Sequence, residues 1–196
     1  MRRVSTIYLL TCAVIGVAGA LLLLPANWLA TVLAATLPFV GVAMSGLWLL
    51  PAVIALRLLR RPGAGLLVGL VSGLALVPFS GYGAMSIATN LWWAFFAEVG
   101  FLVVVYRFWT VWQHYAGAVL VGVLYPVLAW QSYDLGTFAL GLQVTFFAMC
   151  LAGALAGTAL GIWIADRLAA AGVARIARGR PRPRRRAHEA GTGAEA

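Results

Sequence analysis

The chain has 196 residues, of which 63% are hydrophobic and 10% charged, and its formal net charge is +9. A soluble domain of this size could not cover so much apolar surface with polar groups, so the composition excludes an ordinary soluble protein. Apolar runs long enough to cross a membrane recur along the chain, which indicates a polytopic membrane protein with room for one helical bundle.

The first apolar run extends from Ser5 to Leu24 and follows two arginines, as the core of a signal peptide would. It is too long for a typical signal peptide and long enough to span, so we expect it to be retained as the first transmembrane helix. Cys12, Gly16 and Ala20 are spaced four residues apart and form a stripe of small side chains. Such a stripe lets another helix approach closely, either a helix of this chain or one of a partner subunit.

The 14 basic residues are all arginines, and their positions predict the topology. They fall within 2–3, 57–61, 107 and 167–186, and the three intervals between these groups contain no basic residue. Arginine-bearing loops stay in the cytoplasm, and each interval has room for two crossings of about 20 residues. We therefore expect an all-α integral membrane protein, with six transmembrane helices in one bundle and both termini cytoplasmic. The predicted spans are 5–24, 38–60, 63–79, 84–106, 115–130 and 138–166.

Proline and glycine mark the connections between these spans. Pro25-Ala26-Asn27 is predicted to end the first helix, and the apolar segment 25–37 is predicted to dip into the outer leaflet or to pack on the bundle. We assign residues 1–172 to the transmembrane domain. Residues 173–196 form an arginine-rich cytoplasmic tail that is expected to be disordered and to touch anionic membrane lipid rather than nucleic acid.

Glu98 is a single carboxylate within the aromatic segment WWAFFAEVGF, residues 92–101. Its place in the predicted fourth helix puts it deep in the hydrocarbon layer, where an unpaired charge costs several kcal/mol. An ionisable residue in such a position indicates a functional site. Two structural alternatives are a Glu98 that is hydrogen-bonded to a neighbouring helix and one that points to the cytoplasmic end.

Other amphipathic residues cluster in the second half of the chain. A cavity of aromatic faces, amides and one carboxylate suits a flat, partly cationic aromatic ligand, because rings stack on rings and cations are attracted to ring faces. The candidate substrate-binding residues are Asn90, Trp93, Glu98, Tyr125, Trp130, Tyr133 and Gln143.

Catalytic chemistry finds little support in the sequence. No predicted helix carries a paired acid and base, and there is no phosphate-binding loop. His114 and His188 lie apart from any cluster of cysteines or acids, so we expect no catalytic residue, no metal site and no cofactor. An intramembrane enzyme and a membrane scaffold without a ligand remain the alternatives to a ligand-binding protein.

The stretch GLWLLPAVIALRLLRRPGAGLLVGLVSGL, residues 46–74, resembles the substrate-binding S components of energy-coupling factor (ECF) vitamin transporters, the thiamine/hydroxymethylpyrimidine type above all. The matching residues are Gly46, Trp48, the turn Arg60-Arg61-Pro62-Gly63-Ala64 with Leu66 and Leu67, the pair Ala97-Glu98 and the pair Tyr106-Arg107.

The resemblance implies a high-affinity binding subunit of an importer in a bacterial plasma membrane. Its partners would be a vitamin-like small molecule, a transmembrane coupling protein and two cytoplasmic ABC ATPases, which topple the loaded subunit to release the ligand inside. It also assigns the docking of the coupling protein to Cys12, Gly16 and Ala20, and the ligand pocket to helices four to six, covered by segment 25–37.

This sequence departs from the pattern of those S components in two places. Gly69 and Leu76 stand where relatives can carry carboxylates, and Trp93 stands where they can carry a glutamine. Both changes remove polarity from the expected pocket, so the ligand could differ from thiamine while remaining a small heterocycle.

Overall fold

The computed structural model describes residues 5–174, and this part of the chain is helical, with no β-strand. A short 3-10 helix, Leu135–Thr137, lies between the last two α-helices. The α-helices are α1 (Thr6–Thr36), α2 (Pro38–Ala43), α3 (Gly46–Leu59), α4 (Ala64–Leu76), α5 (Met85–Val103), α6 (Val111–Leu128) and α7 (Leu140–Ala170). Of the predicted tail, only residues 173 and 174 are among those described.

Five segments of the described chain are long and apolar enough to cross a membrane: α1, the α2–α3 pair, α5, α6 and α7. The helix α4 is also apolar but has only 13 residues. At 1.5 Å per residue it is about 20 Å long, whereas the hydrocarbon layer is about 30 Å thick. These helices overlap the predicted spans, although α1 extends well beyond its predicted end, and the chain is a multi-pass membrane protein.

The helix α1 does not end where the sequence predicts. It continues through Pro25 to Thr36 and contains 31 residues, so the segment 25–36 prolongs the first helix instead of forming a separate loop. The predicted end of the first helix is wrong because it rests on Pro25 as a turn residue. In lipid, an irregular backbone would leave several polar groups without partners, whereas Pro25 inside the helix removes a single hydrogen bond.

The helix α3 is the centre of the bundle and packs against α1, α4, α5 and α7. Gly46 lies so close to the backbone of Gly153 and Gly157 of α7 that no side chain would fit between the two helices. Lipid tails are as apolar as the buried side chains, so helices in a membrane associate through close packing of this kind.

The two ends of the bundle differ in charge. The end of α3 and the turn after it carry three arginines, Arg57, Arg60 and Arg61. Arg57 forms a bidentate ion pair with Asp166 near the end of α7, with N–O distances of 2.8 and 3.1 Å. We call this the arginine end, and Arg107, between α5 and α6, lies there too. The opposite, distal end carries the connections 77–84 and 129–139.

Candidate functional site

Two adjacent cavities open at the distal end of the bundle. The larger has a volume of about 510 Å³ and lies between α5, α6 and the α6–α7 connection. The smaller, of about 210 Å³, extends towards α1, α2 and α3. The residues that line both are Ala34, Tyr82, Thr89, Trp93, Tyr125 and Tyr133. The larger volume falls within the range of about 300–1,000 Å³ that is typical of small-molecule sites.

A connected group of aromatic rings forms the inner wall of these cavities. Trp93 is its centre: its ring lies 5.9 Å from that of Trp48, 4.9 Å from that of Trp92 and 5.0 Å from that of Tyr125, between centroids. These separations are typical of favourable ring pairs. The rings are therefore held by one another, and the half-buried rings of Trp92 and Tyr125 leave part of their surface open to a flat ligand.

The same helices close the site towards the arginine end. The helices α5 and α6 touch there through Gly100, which meets the backbone of Gln113, and through Gly117, which meets that of Phe96 and Ala97. Glycine permits this approach because it has no side chain. Closer to the distal end, bulky rings replace glycine at the boundary between α5 and α6, and the helices leave space for the larger cavity.

Glu98 does not line either cavity, so its predicted contact with a ligand stays a prediction that these two cavities do not support. Its side chain is buried with 2% exposure, and its carboxylate lies at the start of α4. Oε1 accepts hydrogen bonds from the backbone N–H of Gly63 and, at 2.9 Å, from the hydroxyl of Tyr106. Oε2 accepts one from the backbone N–H of Leu66 at 3.0 Å.

This position has a simple physical explanation. The first N–H groups of a helix have no partner within it, and a negative charge at a helix N-terminus is favourable. The turn before α4 contains Arg60 and Gly63 in left-handed conformations and provides no capping side chain of its own. Glu98 supplies that cap from α5, as in the first structural alternative considered for it.

The structure separates the other predicted binding residues into two groups. Trp93, Tyr125 and Tyr133 line both cavities. Asn90, Trp130 and Gln143 do not line them.

Asn90 and Gln143 form hydrogen bonds within the fold. The amide of Asn90 donates to the carbonyl of Ser86 at 2.8 Å. The amide of Gln143 donates to the carbonyls of Leu135 and Phe138 at 3.0 and 2.9 Å. Trp130 and Tyr133 both pack against one buried cluster, which includes Leu135 of the α6–α7 connection. Gln143 and Trp130 thus hold in place the connection that carries Tyr133.

The stripe of small residues on α1 is buried inside the chain, as in the alternative that it packs against a helix of this chain, and docking of a partner subunit on it stays a prediction. Cys12 is fully buried, and Ser72 of α4 donates a 2.7 Å hydrogen bond to the carbonyl of Gly16. A side-chain carbon added at Gly16 would lie 2.6 Å from Cγ1 of Val71. The stripe therefore serves the α1–α4 contact, and the exposed face of α1 is made of larger residues such as Val14.

Several residues that line the site are not among those predicted from the sequence, and the most informative are Asn27 and Trp48. The sequence pattern places Asn27 in a turn, and Trp48 belongs only to the family resemblance. The available signal was the position of Asn27, a polar amide within an otherwise apolar stretch of α1.

The described residues contain no group of three or more His, Cys, Asp or Glu side chains that could hold a metal ion. The residues that line the two cavities are uncharged, and their polar groups are hydroxyls, the amide of Asn27 and the indole N–H groups of the tryptophans. The site is thus suited to an organic ligand with at least one flat face.

The structure thus combines an apolar helical bundle with a ring-lined cavity at one end, and cavities of this size and lining are typical of small-molecule sites. The family model of the permease component of the ABC-type cobalt transport system matches residues 7–124, more than half of the chain. The chain belongs to this family, which consists of transport-system components and not of enzymes.

The fold is also that of a solved protein, described as an S-component of an ECF transporter in its crystal structure. The two structures superpose with a TM-score of 0.77 over 88% of this chain and 89% of the other, at 22% sequence identity. No curated protein matches the sequence.

Proposed function

We propose that this protein is the substrate-binding S component of an ECF-type importer in a bacterial plasma membrane. The family and the shared fold support this assignment. With α4 counted as a short span, the bundle has six crossings, and the positive-inside rule puts the arginine end and both termini in the cytoplasm. The cavities then open to the outside, where a nutrient arrives.

The ligand that we propose is thiamine or its precursor hydroxymethylpyrimidine, both of which contain an aminopyrimidine ring. The observation that carries this proposal is the ring-lined cavity of about 510 Å³ around Trp92, Trp93 and Tyr125. A planar heterocycle can stack on these rings, and the cationic ring of thiamine would gain about 0.5–2 kcal/mol from a well-placed aromatic face. No carboxylate is needed for either interaction.

The donor set of the cavities argues for a heterocycle over a cobalt ion as the cargo, although cobalt appears in the family's description. Divalent cobalt is bound by imidazole, thiolate or carboxylate groups. The residues that line the two cavities supply none of these.

The closed arginine end supports a role for partners in release. Gly100 and Gly117 bring α5 and α6 into backbone contact below the site, and Ala97 and Phe101 are buried there. A ligand therefore cannot pass between α5 and α6 at this contact. Toppling of the loaded subunit by a coupling protein and two cytoplasmic ATPases would expose the site to the cytoplasm without opening this contact.

The test is ligand binding by the full chain in detergent or nanodiscs. Isothermal titration with thiamine, hydroxymethylpyrimidine and Co²⁺ should give a Kd below about 1 μM for at least one pyrimidine and no saturable binding of Co²⁺. Native mass spectrometry of the purified protein should detect a vitamin that stays bound during purification. Tight binding of Co²⁺ with no binding of either pyrimidine would reject the proposed ligand.

A further inference from the structure

We propose that Asn27 selects the ligand by donating a hydrogen bond from Nδ2 to an acceptor atom on the heterocycle. This inference rests on the proposed function, because it takes the two cavities as the vitamin site. Asn27 belongs to α1, outside the helices to which the family resemblance assigns the pocket. It is 6% exposed and lines the smaller cavity together with Trp48, Trp93 and Tyr125.

Trp48 fixes the orientation of the Asn27 amide. The indole Nε1–H of Trp48 donates a hydrogen bond of 3.1 Å to Oδ1 of Asn27. An indole N–H can only donate, so the amide oxygen must face Trp48 and the NH₂ group must point elsewhere. Within residues 5–174 no atom accepts a hydrogen bond from that NH₂ group.

The orienting residue is itself held in place without a ligand. The ring of Trp48 stacks on that of Trp93 with an interplanar angle of 28°. The backbone carbonyl of Asn27 accepts a 2.9 Å hydrogen bond from the hydroxyl of Thr31, which lies one turn further along α1. The amide is therefore positioned before the ligand arrives, and binding does not have to order it.

A fixed donor discriminates in a way that a rotating hydroxyl does not. The hydroxyl of Tyr82 can rotate and act as donor or acceptor, so it adapts to different ligands, and the hydroxyl of Thr89 already donates to the carbonyl of Met85. The NH₂ group of Asn27 can only donate. A ligand that places a ring nitrogen or a hydroxyl oxygen against it is accepted, and an analogue that lacks this acceptor leaves a buried donor unpaired.

The experiment measures the affinity of each variant for each ligand by titration calorimetry on the full chain. The ligands are hydroxymethylpyrimidine and three analogues, each without one acceptor: either ring nitrogen replaced by C–H, or the hydroxyl replaced by hydrogen. Wild-type protein should bind one of these analogues about 10- to 100-fold more weakly than the parent. The variant Asn27→Leu should bind the parent more weakly by a similar factor and should no longer discriminate against that analogue.

Two further variants keep the test decisive if Asn27→Leu does not fold. Asn27→Asp preserves the acceptor for Trp48 and replaces the donor by an oxygen, so it should also lose the discrimination. Trp48→Phe preserves an aromatic ring but frees the amide to turn, so it should reduce the discrimination in part. Thr36→Val, at the exposed end of α1 and away from both cavities, is the matched control and should behave as wild type.

The outcomes separate the two proposals. One outcome is that wild-type protein binds hydroxymethylpyrimidine and that the Asn27 variants discriminate among the analogues to the same extent as wild type. In that case the role of Asn27 is rejected and the proposed function stands. If wild-type protein binds neither hydroxymethylpyrimidine nor thiamine, the proposed ligand is rejected and the role of Asn27 falls with it.

Discussion

The hydroxyl of Tyr106 donates a 2.9 Å hydrogen bond to the carboxylate of Glu98, eight residues earlier in the chain. The backbone must reverse direction after α5 to make this contact, and Val105 and Tyr106 have positive φ angles of 50° and 54°. Such conformations cost about 1–2 kcal/mol for residues other than glycine, so other contacts must offset them. Glu98 thus joins α5, the start of α4 and the α5–α6 connection at the arginine end.

The first prediction concerns Glu98→Gln. The change removes the negative charge and turns an amide donor towards backbone N–H groups, so it should destabilise the fold by about 1–3 kcal/mol. Ligand affinity of the folded protein should stay within a factor of two or so, because Glu98 lies outside the cavities. Thermal unfolding and calorimetry test both points, with Asp134→Asn in the exposed α6–α7 connection as control. A large loss of affinity at unchanged stability would restore Glu98 to the ligand site.

The second prediction is a dependence on pH. Burial and the hydrogen bond to Glu98 raise the pKa of Tyr106 from 10 to about 12. The folded protein therefore holds this proton more tightly than the unfolded chain, so the contribution to stability is complete below pH 10 and is lost as the pH rises through about 12. Tyr106→Phe should be less stable than wild type at pH 7 by about 0.5–1.5 kcal/mol.

The difference in thermal midpoint between wild type and Tyr106→Phe should shrink between pH 10 and 12. A difference that is constant over this range would show that the phenol does not titrate against Glu98.

The third prediction concerns Trp93→Leu. Trp93 is buried and contacts three other rings of the site, so its loss loosens the rings on which a flat ligand would stack. Affinity for the pyrimidine ligand should fall by about 10-fold or more, or at least about 1.4 kcal/mol. Trp112→Leu is the control, because Trp112 is 80% exposed on the outside of α6. Equal affinities of the two variants would place the ligand elsewhere.

The fourth prediction concerns the contact that closes the arginine end. In Gly117→Ala the new methyl group would lie against the Phe96 carbonyl and 3.2 Å from Cα of Ala97, so the variant should be destabilised by about 1–3 kcal/mol. Gly141→Ala is a matched control in α7, since no atom lies within 4 Å of the added carbon. It should be neutral or slightly stabilising, because alanine favours a helix. Thermal unfolding of the two variants in the same detergent measures the difference.

The fifth prediction distinguishes packing from docking for the stripe on α1. Because Gly16 packs against Val71 of α4, Gly16→Ala should lower the thermal midpoint of the isolated chain. If the stripe served only a partner subunit, the isolated chain would unfold as wild type does and only its assembly with the coupling protein would weaken.

Much of the helical arrangement could be predicted because it follows from local properties of the sequence. The apolar length of each interval between arginines places the spans, and glycine and proline place most of the turns. The end of α1 could not be predicted in this way. Whether Pro25 ends a helix depends on whether water can bind the freed backbone groups, and this depends on the surrounding bundle and membrane.

The site was harder to predict because its residues meet only in the folded bundle. The sequence pattern indicates three of the residues that line both cavities, namely Trp93, Tyr125 and Tyr133. It could not show that Glu98 contacts Gly63, which lies 35 residues away along the chain, nor that Trp48 contacts Asn27 across 21 residues. Both hydrogen bonds join segments that are far apart in the sequence. The spacing of residues along a single helix therefore gives no indication of them.

The unequal lengths of α1 and α4 have a consequence for the surrounding lipid. The helix α1, with 31 residues, is about 46 Å long, whereas its packing partner α4, with 13 residues, is about 20 Å long. One bilayer cannot match both, so the membrane must thin beside α4 while α1 leans or protrudes, at a cost of fractions of a kcal/mol per ångström. For the importer proposed above, thicker bilayers in reconstituted vesicles should therefore alter the transport rate even where ligand affinity is unchanged.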